Sequence, residues 1–133
     1  MKITKSKIDY EIPFENLKGK IFCEISQTDE LICFYVSDNE FYKMYHREDC
    51  CESVVIESIS GELDWIVGHP ILLAEERTCR EIPGRPFNKE SETWTFYEIA
   101  TIKGAVTIRW YGYSNGYYSE RVQIDHVILQ IEE

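Results

Sequence analysis

The sequence predicts an α+β fold, mainly an antiparallel β-sheet of hairpins with one or two short helices. Short runs rich in β-branched and aromatic residues recur along the chain, separated by Asp, Asn and Gly turn signals. Helix punctuation occurs in one segment, from Ser60 to Pro70. A chain of 133 residues, 44% hydrophobic and 29% charged, is long enough to bury a core without staples. Residues 1–133 are therefore read as a single domain, folded throughout.

The first twenty residues are charged throughout and do not read as a signal peptide, and the apolar runs are too short to cross a bilayer as a helix. Next come KGKIFCEIS (residues 18–26), LICFYVSD (31–38) and EFYKMYHR (40–47), an expected meander. Ser60 is positioned to cap a short helix with Glu62 and Asp64 in its first turn, Leu63, Ile66 and Val67 as its buried stripe, and Gly68 and Pro70 at its end. ILLAEE (71–76) suggests a further strand. The polar run RTCREIPGRPFNKESE (77–92) is expected to be a long loop of the kind that often closes over a site.

The last third reads as two consecutive hairpins. TWTFYEIATI turns at Lys103-Gly104 into AVTIRWYG, and Asn115-Gly116 is suited to a tight turn into YYSERVQIDHVILQ. Eight of the 18 aromatic residues lie between Trp94 and Tyr118, so this region is a core or a binding surface. Strand alternation places Val106, Ile108 and Trp110 on a core face, and Thr107, Arg109 and Tyr111 on the other.

With the second hairpin formed, Arg121 and Tyr117 are expected near Arg109. Such a group suits a nucleotide-like ligand, because arginine donates paired hydrogen bonds to phosphate, rings stack on a base, and Ser or Asn satisfies sugar hydroxyls. The competing reading pairs Arg109 with Glu98 or Glu120 and treats the tyrosines as half-buried packing residues.

Other chemistries have weaker support. His46, Asp49, Cys50 and Cys51 share a short span, but vicinal cysteines are a poor substitute for the Cys-x-x-Cys clamp of zinc sites, so no metal is expected. His46, His69 and His126 are available to activate a thiol, yet no local signature marks a nucleophile. Five cysteines without an export signal predict reduced thiols, the adjacent pair being one buried and one incidental. Glu75-Glu76 and Glu62/Asp64 read as solvated charges, and no Gly-rich phosphate loop or hydrolase elbow is found. Neither catalysis nor a cofactor is expected. A net charge of −10 repels nucleic-acid backbones, so no DNA partner is expected, although the acidity would suit a DNA mimic.

The stretches YHREDCCESVVIESISGELDWIVGHPILLAEE and ETWTFYEIATIKGAVTIRWYGYSNGYYSERV, with their Asp-Cys-Cys-Glu, Trp-Thr-Phe-Tyr and Thr-Ile-Arg-Trp-Tyr-Gly motifs, resemble a family of small phage-encoded proteins of the Thoeris anti-defence sponge type. That resemblance covers about Tyr45 to Val122 apart from the long loop. It implies a β-rich viral protein in the host bacterial cytoplasm that sequesters cyclic ADP-ribose isomers made by TIR-domain enzymes, without cleaving them. It also implies separate binding of cyclic oligonucleotides in some members and a homo-oligomer built from dimers, up to a hexamer, with ligand held between protomers.

Ligand contacts are chosen on chemistry alone. Arg109 and Arg121 are expected on phosphate, Trp94, Phe96, Tyr111 and Tyr117 as stacking walls, Asn115 on a sugar hydroxyl, and Arg80 and Arg85 closing from the loop. The alternatives are an acidic interaction protein that inhibits a host defence enzyme directly, and a thiol hydrolase using Cys50 or Cys51.

Overall fold

In the computed structural model, residues 2–80, 91–116 and 118–132 are described. The strands are β1 (Lys2–Asp9), β2 (Glu24–Gln27), β3 (Leu31–Ser37), β4 (Glu40–His46), β5 (Ser53–Ser60), β6 (Leu73–Arg80), β7 (Ser91–Thr101), β8 (Gly104–Ser114) and β9 (Val122–Glu132). They form a five-stranded sheet of order β1-β9-β4-β3-β2 and a four-stranded sheet of order β5-β8-β7-β6. Every strand pairing in the two sheets is antiparallel.

One apolar core joins the inner faces. Ile32, Phe34, Tyr42, Met44, Val122 and Ile124 come from the first sheet, and Tyr97, Ile99, Val106, Ile108 and Trp110 from the second. The indole N–H of Trp110 points at the sulfur of Met44, 3.2 Å away across the layers. The molecule is thus a β-sandwich, in which burying one face of each sheet dictates the apolar-polar alternation of β7 and β8.

The helices expected from the sequence are absent among the described residues, where the only helical pieces are 3₁₀ turns at Phe14–Leu17 and Leu63–Ile66. Ser60 ends β5 and caps nothing, and the run VVIESI before it is strand. Ile66 alone of the expected stripe is fully buried. The reason lies in the neighbouring hairpin: the carbonyl of Trp65 accepts the Thr101 hydroxyl, and the indole lies over Gly104, where a Cβ would come within 2.7 Å of it. Among the described residues the α+β expectation is therefore corrected to an antiparallel β architecture with two 3₁₀ turns.

The meander β2-β3-β4 and the β7-β8 hairpin fall where the sequence places them. The second hairpin does not form. β8 pairs with β5 and β7, whereas β9 crosses to the other sheet between β1 and β4. At the crossing, Ser114 Oγ receives the Gly116 N–H at 3.0 Å and donates to Glu120. The Glu120 side chain lies back over Gly112, where a Cβ would approach Glu120 Cβ to 2.7 Å. Gly116 has the positive φ, 92°, that the turn signal anticipates, but the turn redirects the chain out of the sheet.

The expected long loop is shorter than its polar composition suggests. Arg77, Thr78, Cys79 and Arg80 continue β6, and Ser91 and Glu92 begin β7; residues 81–90, with Arg85, lie outside the described residues.

Candidate functional site

The outer face of the four-stranded sheet is built by register. Arg77, Phe96 and Arg109 occupy one cross-strand row on β6, β7 and β8. The next row holds Cys79, Trp94 and Tyr111, with Val55 on β5. Strand alternation sends Trp94, Phe96, Arg109 and Tyr111 outward, because their sequence neighbours Thr93, Thr95, Tyr97, Ile108 and Trp110 are buried; Arg77 and Cys79, on the edge strand β6, are exposed beside them.

The guanidinium carbon of Arg109 lies 5.6 Å from the Phe96 ring centre and 6.0 Å from that of Trp94. The Trp94 and Tyr111 rings are 5.2 Å apart and tilted. Four residues expected at a site, Trp94, Phe96, Arg109 and Tyr111, are thus adjacent, and β8 has the expected buried face, with Arg109 and Tyr111 on the opposite one. Val106, Ile108 and Trp110 are at most 1% exposed.

Glu57 holds this patch in shape. It stands at the irregularity between Ile56 and Ser58 in the β5–β8 pairing, receives the Trp94 indole N–H at 3.2 Å and lies 3.6 Å from Arg109 Nε. The ion-pair partner of Arg109 is therefore Glu57, where Glu98 or Glu120 was expected. Among the described residues the terminal amino groups of Arg109 make no hydrogen bond, and its side chain is 39% exposed. Tyr111 donates to Glu92 at 3.0 Å; burial first, and this carboxylate second, push its phenol up to about 12.

Beside Phe96 a depression of about 400 Å³ is lined by Glu75, Arg77, Thr78, Cys79, Glu98 and Thr107. Arg77 borders it, 3.3 Å from Glu75 and 3.8 Å from Glu98. Sequence reasoning missed both Arg77 and Glu57. Extending the β6 alternation one residue past Glu76, two from Glu75 on the same face, would have found Arg77, whereas Glu57 depends on a strand irregularity that composition does not mark.

The remaining expected contacts do not join this face. Arg121 lies in the crossing segment before β9 and borders a different cavity. Asn115 is exposed in that crossing, and Arg80 pairs through its backbone with Thr93, its side chain being undescribed. Tyr117 and Arg85 lie outside the described residues.

Cys50 and Cys51 are both exposed and their sulfurs are bonded to each other, which corrects the expectation of free thiols with one buried; Cys23, Cys33 and Cys79 are free. Glu52 receives the N–H groups of Asp49 and Cys50 and faces His46 Nε2 at 3.4 Å, so this motif is an internally tied turn. Among the described residues no group of three or more His, Cys, Asp or Glu side chains could hold a metal ion. Among them, too, no helix is long and apolar enough to cross a membrane.

Fold and site together define an antiparallel β-sandwich that displays an arginine-aromatic face on its smaller sheet. The chain belongs to the family described as a domain of unknown function, DUF7448, whose model matches residues 15–124. No curated protein and no solved structure matches it.

Proposed function

We propose that this protein binds and sequesters a cyclic nucleotide signal on the outer face of β7 and β8, without cleaving it, and serves as a phage counter-defence protein. The ligand class proposed first is a cyclic ADP-ribose isomer, with cyclic oligonucleotides second. The observation that carries the reading is the row Arg77, Phe96, Arg109 beside the Trp94–Tyr111 pair. With neighbouring strands about 4.8 Å apart, the two arginine backbones stand about 10 Å from each other, a span comparable with a pyrophosphate and its flanking sugars. The open amino groups of Arg109 suit phosphate oxygens, and the rings offer a purine a stacking surface. Sequestration requires affinity alone, so no nucleophile is invoked.

In this reading the active form is a homo-oligomer built from dimers, with ligand shared between protomers. Support comes from the open edges of both sheets and from exposed apolar side chains at Ile21, Trp65, Leu72 and Ile102.

The test is mass spectrometry of small molecules released by heat from protein incubated with extract of TIR-activated cells. Intact cyclic nucleotide from the parent, and none from Arg109→Ala, is the expected result. Recovery of only hydrolysed product would turn the reading to an enzyme, and an empty parent protein would overturn sequestration.

A further inference from the structure

The inner face of β7 changes character along its length. Ile99 and Tyr97 belong to the apolar core, but Thr95, Thr93 and Ser91 follow at the same alternate positions. On β6 the same change runs from buried Ala74 to Glu76 and Thr78. Where the core ends, a cavity of about 440 Å³ opens between these strands and the segment leading into β9. Its wall from that segment is Gly116, Tyr118, Ser119, Glu120, Arg121 and Val122.

We infer that this cavity is a second binding site, on the opposite face of β7 from Trp94 and Phe96, and that it takes a polyhydroxylated small molecule such as a sugar ring. Thr93 and Thr95 are 6% and 4% exposed, so their hydroxyls are held on rigid, buried backbone. Glu76 receives the Tyr97 hydroxyl at 3.2 Å, which fixes its carboxylate at the cavity wall. Glu120 is 8% exposed, receives Ser114 Oγ through one oxygen, and has no partner for the other among the described residues. Two carboxylates and several hydroxyls call for a ligand rich in O–H donors that also accepts, and Arg121 supplies the cationic donor for a ring or hydroxyl oxygen. The acid excess disfavours phosphate here, in contrast to the outer face. The volume falls in the range of small-ligand sites, at roughly 300–1,000 Å³, and far exceeds the roughly 30 Å³ of one water.

Saturation-transfer NMR with D-ribose, D-glucose and myo-inositol, and with spermidine as an amine probe, tests this inference on the full chain. Transfer to at least one polyol is expected. Its apparent affinity should fall about tenfold in Glu76→Gln, the loss expected for one charged hydrogen bond. Thr95→Val, which keeps side-chain volume, should lower it in the same direction, with melting temperature reporting that each variant is folded. Arg109→Ala, on the other face, should leave the sugar signal unchanged, so failure here and failure of the nucleotide reading are separable. No transfer to any polyol, transfer undiminished in both cavity variants, or binding of spermidine alone would overturn the inference.

Discussion

Two residues adjacent in sequence, Arg109 and Trp110, show how strand alternation divides work. Arg109 faces outward between rings and Glu57, so Arg109→Ala removes little packing. It should leave the melting temperature nearly unchanged while weakening nucleotide binding by about 1.5–3 kcal/mol, measured by calorimetric titration. Trp110 is 1% exposed against Met44, and Trp110→Ala should cost about 3–5 kcal/mol in denaturant unfolding. Equal effects of the two variants on stability would mean the faces are misassigned.

Glu76 adds a pH signature. Partial burial raises its pKa above the ordinary carboxylate value, so the folded state holds its proton to higher pH than the unfolded chain does. The linked stability is therefore present below about 4.5 and is lost as pH rises through the raised folded value. Glu76→Gln should flatten that decline in melting temperature across the acid range, and an unchanged pH profile would place the carboxylate in open solvent.

Among the elements, the β7-β8 hairpin and the crossing from β8 to β9 depend on close backbone approaches. Gly61 has φ 95°, and a Cβ there would lie 2.8 Å from the carbonyl oxygen of Ala105. Backbone cannot yield as a side chain can, so Gly61→Ala should destabilise by more than about 1 kcal/mol, read as a lowered denaturation midpoint. At Gly112 the obstacle is Glu120, whose Cβ would be 2.7 Å from a new methyl group. Gly112→Ala should push the crossing segment off β8 and disturb the inner cavity more than the outer face. Polyol binding lost with nucleotide binding retained is the expected pattern.

For the whole molecule, the strand order among the described residues leaves β1 and β2 at the edges of one sheet, and β5 and β6 at the edges of the other. Lys5 and Lys7 on β1 are exposed, a charge pattern that discourages edge pairing, so that edge is the least suited to association. Light scattering across a dilution series should give a mass above that of the 15.7 kDa chain and a dissociation that ligand opposes. A monomer mass at every concentration, with full ligand binding, would return the site to a single chain.

The sequence by itself determined the strand-rich character, the β2-β3-β4 meander, the β7-β8 hairpin and the faces of β8, because each follows from local alternation and turn chemistry. From the same local pattern came the grouping of Trp94, Phe96, Arg109 and Tyr111, whose positions in one hairpin register bring them together. Only the tertiary structure decided that β9 leaves its neighbour to lie between β1 and β4. A turn signal states that the chain reverses but not which sheet receives the next strand; that depends on burying Val122 and Ile124 against a core assembled from distant segments. It likewise decided that β1 is a strand, since its charged run pairs only because β9 offers a free edge. Arg121 was placed with Arg109 by assuming the hairpin, and the crossing puts it instead at the inner cavity with Glu76 and Glu120. Long-range pairing selects among locally equivalent turns, so one chain crossing was enough to separate residues that the sequence had set close together.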